Sequence, residues 1–524
     1  MSDRLQQGFA RLQAGRPLEA LEIARAAEGD PNAKYLEGLA LRAMGETDAA
    51  LGAFKVLALT HPLVPDFPNL IGLCQADLGK IDQAVAAFEQ ALSINPAFVH
   101  AAFNLGRTLA NDGRMKTAIL AYRRALVADA NHLPSRRNLA WCLQQIHDLD
   151  AAGKEADAAL ALQPGDPLAL SVKASALIAD GAYADAAELV STRLAADAQP
   201  VNAALALGKM GEALEKAGEY EGAFAAWARA NDGLRAHYAP AFEAVTTGFA
   251  LPTVQQWADF DLPEFDSETG LEGPAPVFLI GFPRSGTTLM ESVLAAHPDI
   301  DTSDERPLST PLIEAAGHNP DAWRAFFGTL PEKRAALRQA YWDGWRAGAP
   351  EAGRVFIDKL PLNLAWTPVL AAVFPEAKFL LALRDPRDCV LSAFKQRFGM
   401  NAAMYRMLSL DDAAAYYDAA MQAGLAGLET LPGGRLLQVR YEDCVADLEA
   451  QARRVIAFLE REWSDEVLAY REKARDRFIS TPSAPQVVQP VYQSSTGRWR
   501  DYDFALQSVR PVLDPWAQRW GYAD

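Results

Sequence analysis

The chain has 524 residues, half of them apolar, and a formal net charge of −17. That length exceeds what one hydrophobic core serves, so two or three domains are expected. The acidic balance excludes a general nucleic-acid binder, whose surface would carry a basic footprint. The four cysteines and seven histidines are scattered and match no metal-ligand or disulfide spacing. The N-terminus lacks the apolar run of a secretory signal. No segment approaches the roughly 18 apolar residues that span a bilayer. These features set the expectation of a reduced, metal-free, cytoplasmic protein.

The first half repeats itself. Gly72, Gly79, Ala84, Phe88, Ala91 and Pro96 recur 34 residues later as Gly106, Gly113, Ala118, Tyr122, Ala125 and Ala130. They are preceded at the same interval by Gly38, Gly45, Ala50, Phe54, Leu57 and Pro62. A degenerate copy follows at Ala140, His147, Ala152, Ala156, Ala159 and Pro164, and a later one at Gly211, Gly218, Ala223, Trp227 and Ala230. Small residues at a helix crossing allow close approach, and the aromatic fills the next gap. The pattern resembles the tetratricopeptide repeat (TPR) over residues 1–235. It implies stacked helix pairs forming a superhelix, with the shortened unit Leu5 to Arg25 as a cap. Arrays of this kind usually take a peptide or protein along the concave face; a folding or dimerisation platform is the alternative.

Residues 236–273 lose the period. Prolines, glycines and an acidic cluster punctuate them, which reads as a terminal helix and a linker. From 274 to 524 a different pattern begins. Val277-Phe-Leu-Ile-Gly281 reads as a strand, Phe282 to Gly286 as a tight loop, and Thr287 to Ala296 as a helix. Such a junction presents backbone N–H groups and a helix dipole to an anion. Arg284, Ser285, Thr287 and Thr288 add donors around Gly286. Gly281 and Gly286 have mononucleotide-loop spacing, but Thr287 stands where that loop has its lysine. The loop therefore suits a metal-free anion better than a triphosphate.

Further along, 299–307 reads as a polar loop. Val355 to Ile357, Lys378 to Leu383 and Leu436 to Arg440 read as strands, with a helix from Asn363 to Phe374. Strands alternating with helices imply a mostly parallel sheet, whose ligands gather at the strands' carboxyl ends. The cradle loop, Lys359, Arg384 and Tyr441 all come directly after strands and so belong to one rim.

Two motifs on that rim, Pro283-Arg-Ser-Gly-Thr-Thr-Leu289 and Arg384-Asp-Pro-Arg-Asp-Cys-Val-Leu-Ser392, resemble those of the sulfotransferases, most closely the tyrosylprotein sulfotransferases. The resemblance implies 3′-phosphoadenosine 5′-phosphosulfate (PAPS) as co-substrate, with no metal. Arg284, Ser285, Gly286, Thr287 and Thr288 would hold its 5′-phosphosulfate. Arg384, Ser392 and Arg498, in Gly497-Arg-Trp499, would hold the 3′-phosphate, with Tyr441 near the nucleotide. It also implies Glu305 as general base. Lys359, Arg284 and Ser483 would stabilise the transferring group. Pro307 stands where the tyrosylprotein enzymes have an arginine, and Arg306 lies one place early. Lys395, Arg397 and Arg406 are candidates to line an acceptor cleft.

The expected architecture is thus an all-α TPR superhelix followed by an α/β P-loop-like sulfotransferase domain. The expected reaction is sulfuryl transfer to a hydroxyl of a peptide or protein, tyrosine favoured. A saccharide or lipid hydroxyl is the alternative acceptor. A nucleotide-dependent kinase or NTPase, and an inactive TPR scaffold, are the alternatives of another class.

Overall fold

A computed structural model describes residues 2–27, 29–263, 273–345, 353–476 and 496–522. The chain divides into two compact units, 1–226 and 227–524, the boundary falling inside the helix Tyr220–Phe242.

Unit 1 is built from helix pairs. Asp3–Gln13 with Pro17–Arg25 begins the series, followed by Pro31–Ala43 with Thr47–Thr60, Asp66–Asp77 with Ile81–Ile94, and Val99–Asn111 with Met115–Ala128. The two glycines of each repeat have separate purposes. Gly45, Gly79 and Gly113 take left-handed φ values of 84°, 72° and 79° in the turn between helices, where a side chain would be strained. Gly38, Gly72 and Gly106 lie against Phe54, Phe88 and Tyr122. A Cβ there would stand 2.6, 2.6 and 2.7 Å from the rings. The degenerate copy, Leu133–Gln145 with Leu149–Leu162, keeps the turn with His147 at φ 63°. A further pair, Pro167–Ala179 with Tyr183–Arg193, lies within the expected array but outside the copies named above. Its register persists at Ala174, Gly181 and Ala186, but alanine replaces the crossing glycine.

Phe88 is fully buried in a groove that Gly72 cannot refill. Phe88→Ala should therefore destabilise unit 1 by about 3–5 kcal/mol, read from urea unfolding. A loss under about 1 kcal/mol would contradict this packing.

Unit 2 is organised on a five-stranded, wholly parallel sheet of order β2-β3-β1-β4-β5. The strands are β1 Val277–Gly281, β2 Ile300–Thr302, β3 Val355–Lys359, β4 Lys378–Leu383 and β5 Leu436–Arg440. The continuous apolar runs of β1 and β4 are buried on both faces, as parallel strands covered by helices require. The register pairs Leu279 with Lys359, Gly281 with Ala382 and Leu383 with Arg440. All carboxyl ends therefore share one edge. β1, flanked by β3 and β4, opens onto the point where strand order reverses, the usual ligand crevice of such sheets.

Three local features differ from the sequence reading. Ile300–Thr302, expected within a polar loop, is the edge strand β2, and its Asp301 pairs with Arg354 at 2.7 and 2.9 Å. The helix expected from Asn363 to Phe374 is a 3₁₀ segment, Pro361–Trp366, followed by an α-helix, Thr367–Val373. Pro368, lacking an N–H, suits the first turn of the second piece and not the interior of a longer one. Finally, residues 236–273, expected as a terminal helix and a linker, hold the end of the helix Tyr220–Phe242 and then a separate helix, Leu251–Ala258, whose Trp257 is buried and stacks on Trp323 at 4.0 Å.

Candidate active site

The cradle is shaped by two close approaches. A Cβ on Gly281 would lie 2.6 Å from both the Ala382 carbonyl oxygen and Ser285 Oγ, which fixes where β1 gives way to the loop. Arg284 and Gly286 then adopt φ values of 73° and 95°. A Cβ on Gly286 would lie 2.6 Å from Tyr441 Cδ2, so glycine lets the tyrosine rest on the loop. The helix Thr287–Leu294 follows at once, and its first N–H groups have no intrahelical acceptors. Ser285 is 2% exposed, and its Oγ has no hydrogen-bond partner among the described residues. A buried hydroxyl left in this way is costly unless an acceptor completes it. With Thr287, Thr288 and Arg284 beside it, this donor set fits a phosphosulfate.

β4 brings the second set of donors to the same edge. Arg384 Nη1 donates to the Arg284 carbonyl at 3.1 Å, and its guanidinium carbon lies 5.0 Å from the Tyr441 ring centre. Arg284 Nε donates to Ser392 Oγ at 3.1 Å. Ser392 lies on the helix Pro386–Lys395, which Asp385 caps by accepting from Arg387 N. Asp388 on that helix accepts from Gly497 N at 2.7 Å and Trp499 N at 2.8 Å. Burial pushes its carboxyl up, while Arg384 and these N–H groups oppose the shift. The segment carrying Arg498 is thereby pinned beside Arg384, which lies 3.9 Å from Asp388. Arg498 itself pairs with Asp501 at 3.6 Å. Arg387 is wholly buried, gripping Asp385 at 2.9 and 3.0 Å and lying 3.8 Å from the Trp499 ring centre. It ties Asp385 and Trp499 together.

β3 ends in the third element. Lys359 is fully buried and its Nζ lies 2.7 Å from Glu305 Oε1 and 3.0 Å from Glu291 Oε2. Its chain neighbour Asp358 takes the other side of the strand, since successive strand residues face opposite ways. Asp358 accepts from Tyr341 Oη at 2.9 Å and Ser303 Oγ at 3.2 Å. Asp304 and Glu305 have left-handed φ values of 51° and 60°. Bonds from Asp304 N to Glu291 Oε1 and from Glu305 N to Lys359 O, each 3.1 Å, hold them there.

Burial raises the Asp358 carboxyl to about 7, against the pull of Tyr341 and Ser303. In the unfolded chain the same group ionises near its ordinary value of 3.8. Between these values the folded state binds the extra proton, so this residue's contribution to stability falls as pH rises. Asp358→Asn should flatten the loss of stability between pH 5 and 7 measured by urea unfolding; an unchanged slope would contradict the assignment.

Arg284, Ser285, Gly286, Thr287, Thr288, Arg384, Ser392 and Tyr441 thus sit in one connected cluster, and Lys359 and Glu305 close the adjoining strand end; Arg498 joins it through the backbone of its neighbours Gly497 and Trp499, which bond Asp388. Ser483 lies outside the described residues. Exposed Arg306 lies 5.4 Å from the Trp345 ring centre. Lys395, Arg397 and Arg406 each have packing partners. Lys395 lies over Trp227 at 4.5 Å, Arg397 donates to Asn231 at 2.7 Å, and Arg406 pairs with Glu243 and Asp412 at 3.4 Å. Burial lowers Arg397 to about 10. Glu291, Asp388 and Arg387 were not singled out from sequence as contributors. Glu291 left a signal there, being the lone charge between Ser285 and Ala296 on a helix otherwise fit for burial.

Residues 276–465, which hold this cluster apart from Arg498, match the model described as sulfotransferase family, and 69–132 match that of the tetratricopeptide repeat. Protein-tyrosine sulfotransferase A of Caenorhabditis elegans is 27% identical over 270 residues, 49% of this chain and 70% of its own. Protein-tyrosine sulfotransferase 1 of Danio rerio is 29% identical over 258 residues, 47% of this chain and 72% of its own. An uncharacterised Aquifex aeolicus protein is 27% identical over 249 residues, 45% of this chain, which spans only 32% of that relative's length. Among solved structures, a thermophilic TPR protein of Thermus thermophilus covers 34% of this chain and 98% of its own, at 22% identity and a TM-score of 0.29. Among the described residues no helix is long and apolar enough to cross a membrane, and no cluster of three or more His, Cys, Asp or Glu side chains could hold a metal ion.

Proposed function

We propose that the second unit transfers the sulfuryl group of PAPS to a hydroxyl of a peptide or protein, with tyrosine the preferred side chain, and that the TPR array binds the acceptor. The observation that carries this reading is the direct linkage of Arg284, Ser392 and Arg384 at the edge where Lys359 meets Glu305. Two anion contacts beside an acid–lysine pair suit a nucleotide with a phosphate at one end and a reactive sulfate at the other.

PAPS supplies the activated sulfuryl group; the chain's residues supply position and charge. The cradle N–H groups, Ser285, Thr287, Thr288 and Arg284 hold the phosphosulfate, and Arg384, Ser392 and Arg498 hold the 3′-phosphate. Guanidinium forks suit such oxygens. Tyr441 lies against both the loop and Arg384. Glu305 accepts the proton of the attacking hydroxyl as its oxygen bonds to sulfur. Lys359 and Arg284 offset the charge left on the departing phosphate oxygen, with Ser483 as a third contact to the moving group. Fixed charges aimed at developing charge need no reorganisation during the reaction, and transfers of this kind depend mainly on positioning.

The test is incubation of the full chain with radiolabelled PAPS and a tyrosyl peptide, a serine peptide, a saccharide and a hydroxylated lipid, with and without EDTA. Label on the tyrosyl peptide, unaffected by EDTA, is expected. Label on the saccharide or lipid alone would move the acceptor class. Nucleotide turnover from ATP with magnesium and none from PAPS would replace the reading with that of a kinase or NTPase.

A further inference from the structure

Glu291 has no part in the chemistry just described, yet it joins three of its elements, the cradle helix, β3 and the Glu305 loop. It is 3% exposed on the helix that opens the cradle. Its Oε2 lies 3.0 Å from Lys359 Nζ on β3, and its Oε1 accepts from Asp304 N, next to Glu305, at 3.1 Å. We propose that Glu291 is a positioning residue that locks the Glu305 loop to the cradle helix and supplies the lasting counter-charge of Lys359. This rests on the sulfotransferase reading and goes beyond it.

Two physical requirements meet at this carboxylate. The first is backbone strain. Asp304 and Glu305 are both left-handed, and such residues persist only where the surroundings over-determine them. The Glu305 N–H bond to Lys359 and the Ser303 bond to Asp358 tie the loop to β3. The Asp304 N–H bond to Glu291 ties it to the cradle. Glu291 is thus the link that sets the distance between base and donor.

The second is charge balance. Lys359 is wholly buried between two carboxylates. When Glu305 takes the acceptor's proton it becomes neutral, and a buried ammonium without a partner is strongly unfavourable. Glu291 is the second carboxylate at Lys359 Nζ, so Lys359 keeps a partner through that step. The other charged groups nearby are engaged elsewhere: Asp358 faces Tyr341 and Ser303, Arg306 lies by Trp345, and Arg284 bonds Ser392.

Turnover of PAPS with a tyrosyl peptide and binding of adenosine 3′,5′-bisphosphate test the proposal together. Glu291→Gln should lower kcat by about 10- to 100-fold, the effect of losing one charge-assisted contact, with bisphosphate affinity changed by less than about threefold. In a Lys359→Met background the same substitution should cost under about threefold, because the two residues act as a unit. Multiplying losses in the double variant, or wild-type kcat in Glu291→Gln, would overturn the inference. Glu291→Asp, which keeps the charge, should recover part of the lost rate; if Glu291→Gln fails to fold, Glu291→Asp and the charge-neutral double variant decide, and an Asp variant no faster than the double variant would overturn it. Should the wild-type chain neither bind the bisphosphate nor transfer sulfate, both readings fall. Transfer that is indifferent to Glu291 removes this one alone.

Discussion

Replacing Glu305 with glutamine is expected to lower kcat by about 10²- to 10⁴-fold, the usual worth of a positioned general base, and to leave bisphosphate binding intact. The side chain is 30% exposed while its partner Lys359 is wholly buried, so an incoming hydroxyl can reach the carboxylate from the solvent side. Glutamine keeps the size and a carbonyl acceptor toward Lys359 Nζ but cannot take a proton at neutral pH. Unchanged turnover would remove Glu305 from the base role. Lost bisphosphate binding would show that the residue supports the cradle instead.

Arg384→Ala should have the largest effect on binding. Arg384 is 8% exposed and joins the Arg284 carbonyl, the Tyr441 ring and Asp388. On the proposed reading, its loss removes one phosphate contact and slackens the loop that forms the other. A ligand binding only the folded state stabilises it by RT ln(1 + [L]/Kd), about 2.7 kcal/mol at a hundredfold excess over Kd. That stabilisation by adenosine 3′,5′-bisphosphate should vanish in Arg384→Ala at the same ligand concentration. Asp388 keeps its bonds to Gly497 and Trp499, so the variant is expected to fold. Undiminished stabilisation would place the 3′-phosphate elsewhere.

Much of this site was legible because its residues sit directly after apolar runs that a parallel sheet buries. Gly281, Leu383 and Arg440 end strands at their expected places, and the parallel register brings the cradle loop, Arg384 and Tyr441 to one edge. The repeat glycines were legible for a similar reason, since each answers to one steric demand at a fixed interval. The features that escaped were polar and tertiary. Asp301 masked β2 because its charge is matched by Arg354, 53 residues away. Glu291 and Asp388 act through partners that no local spacing indicates. The break before Thr367 depends on Pro368 taking the first turn of a new helix, which periodicity alone does not register.

One rim of the sheet is held to bind both anionic ends of a single sulfated nucleotide, and every role assigned above depends on it. Thermal unfolding of the full chain, titrated with adenosine 3′,5′-bisphosphate and separately with ATP and magnesium, tests this most directly. Saturable stabilisation by the bisphosphate, undisturbed by EDTA and weaker or absent with ATP, is the predicted result. Stabilisation by ATP with magnesium and none by the bisphosphate would contradict it.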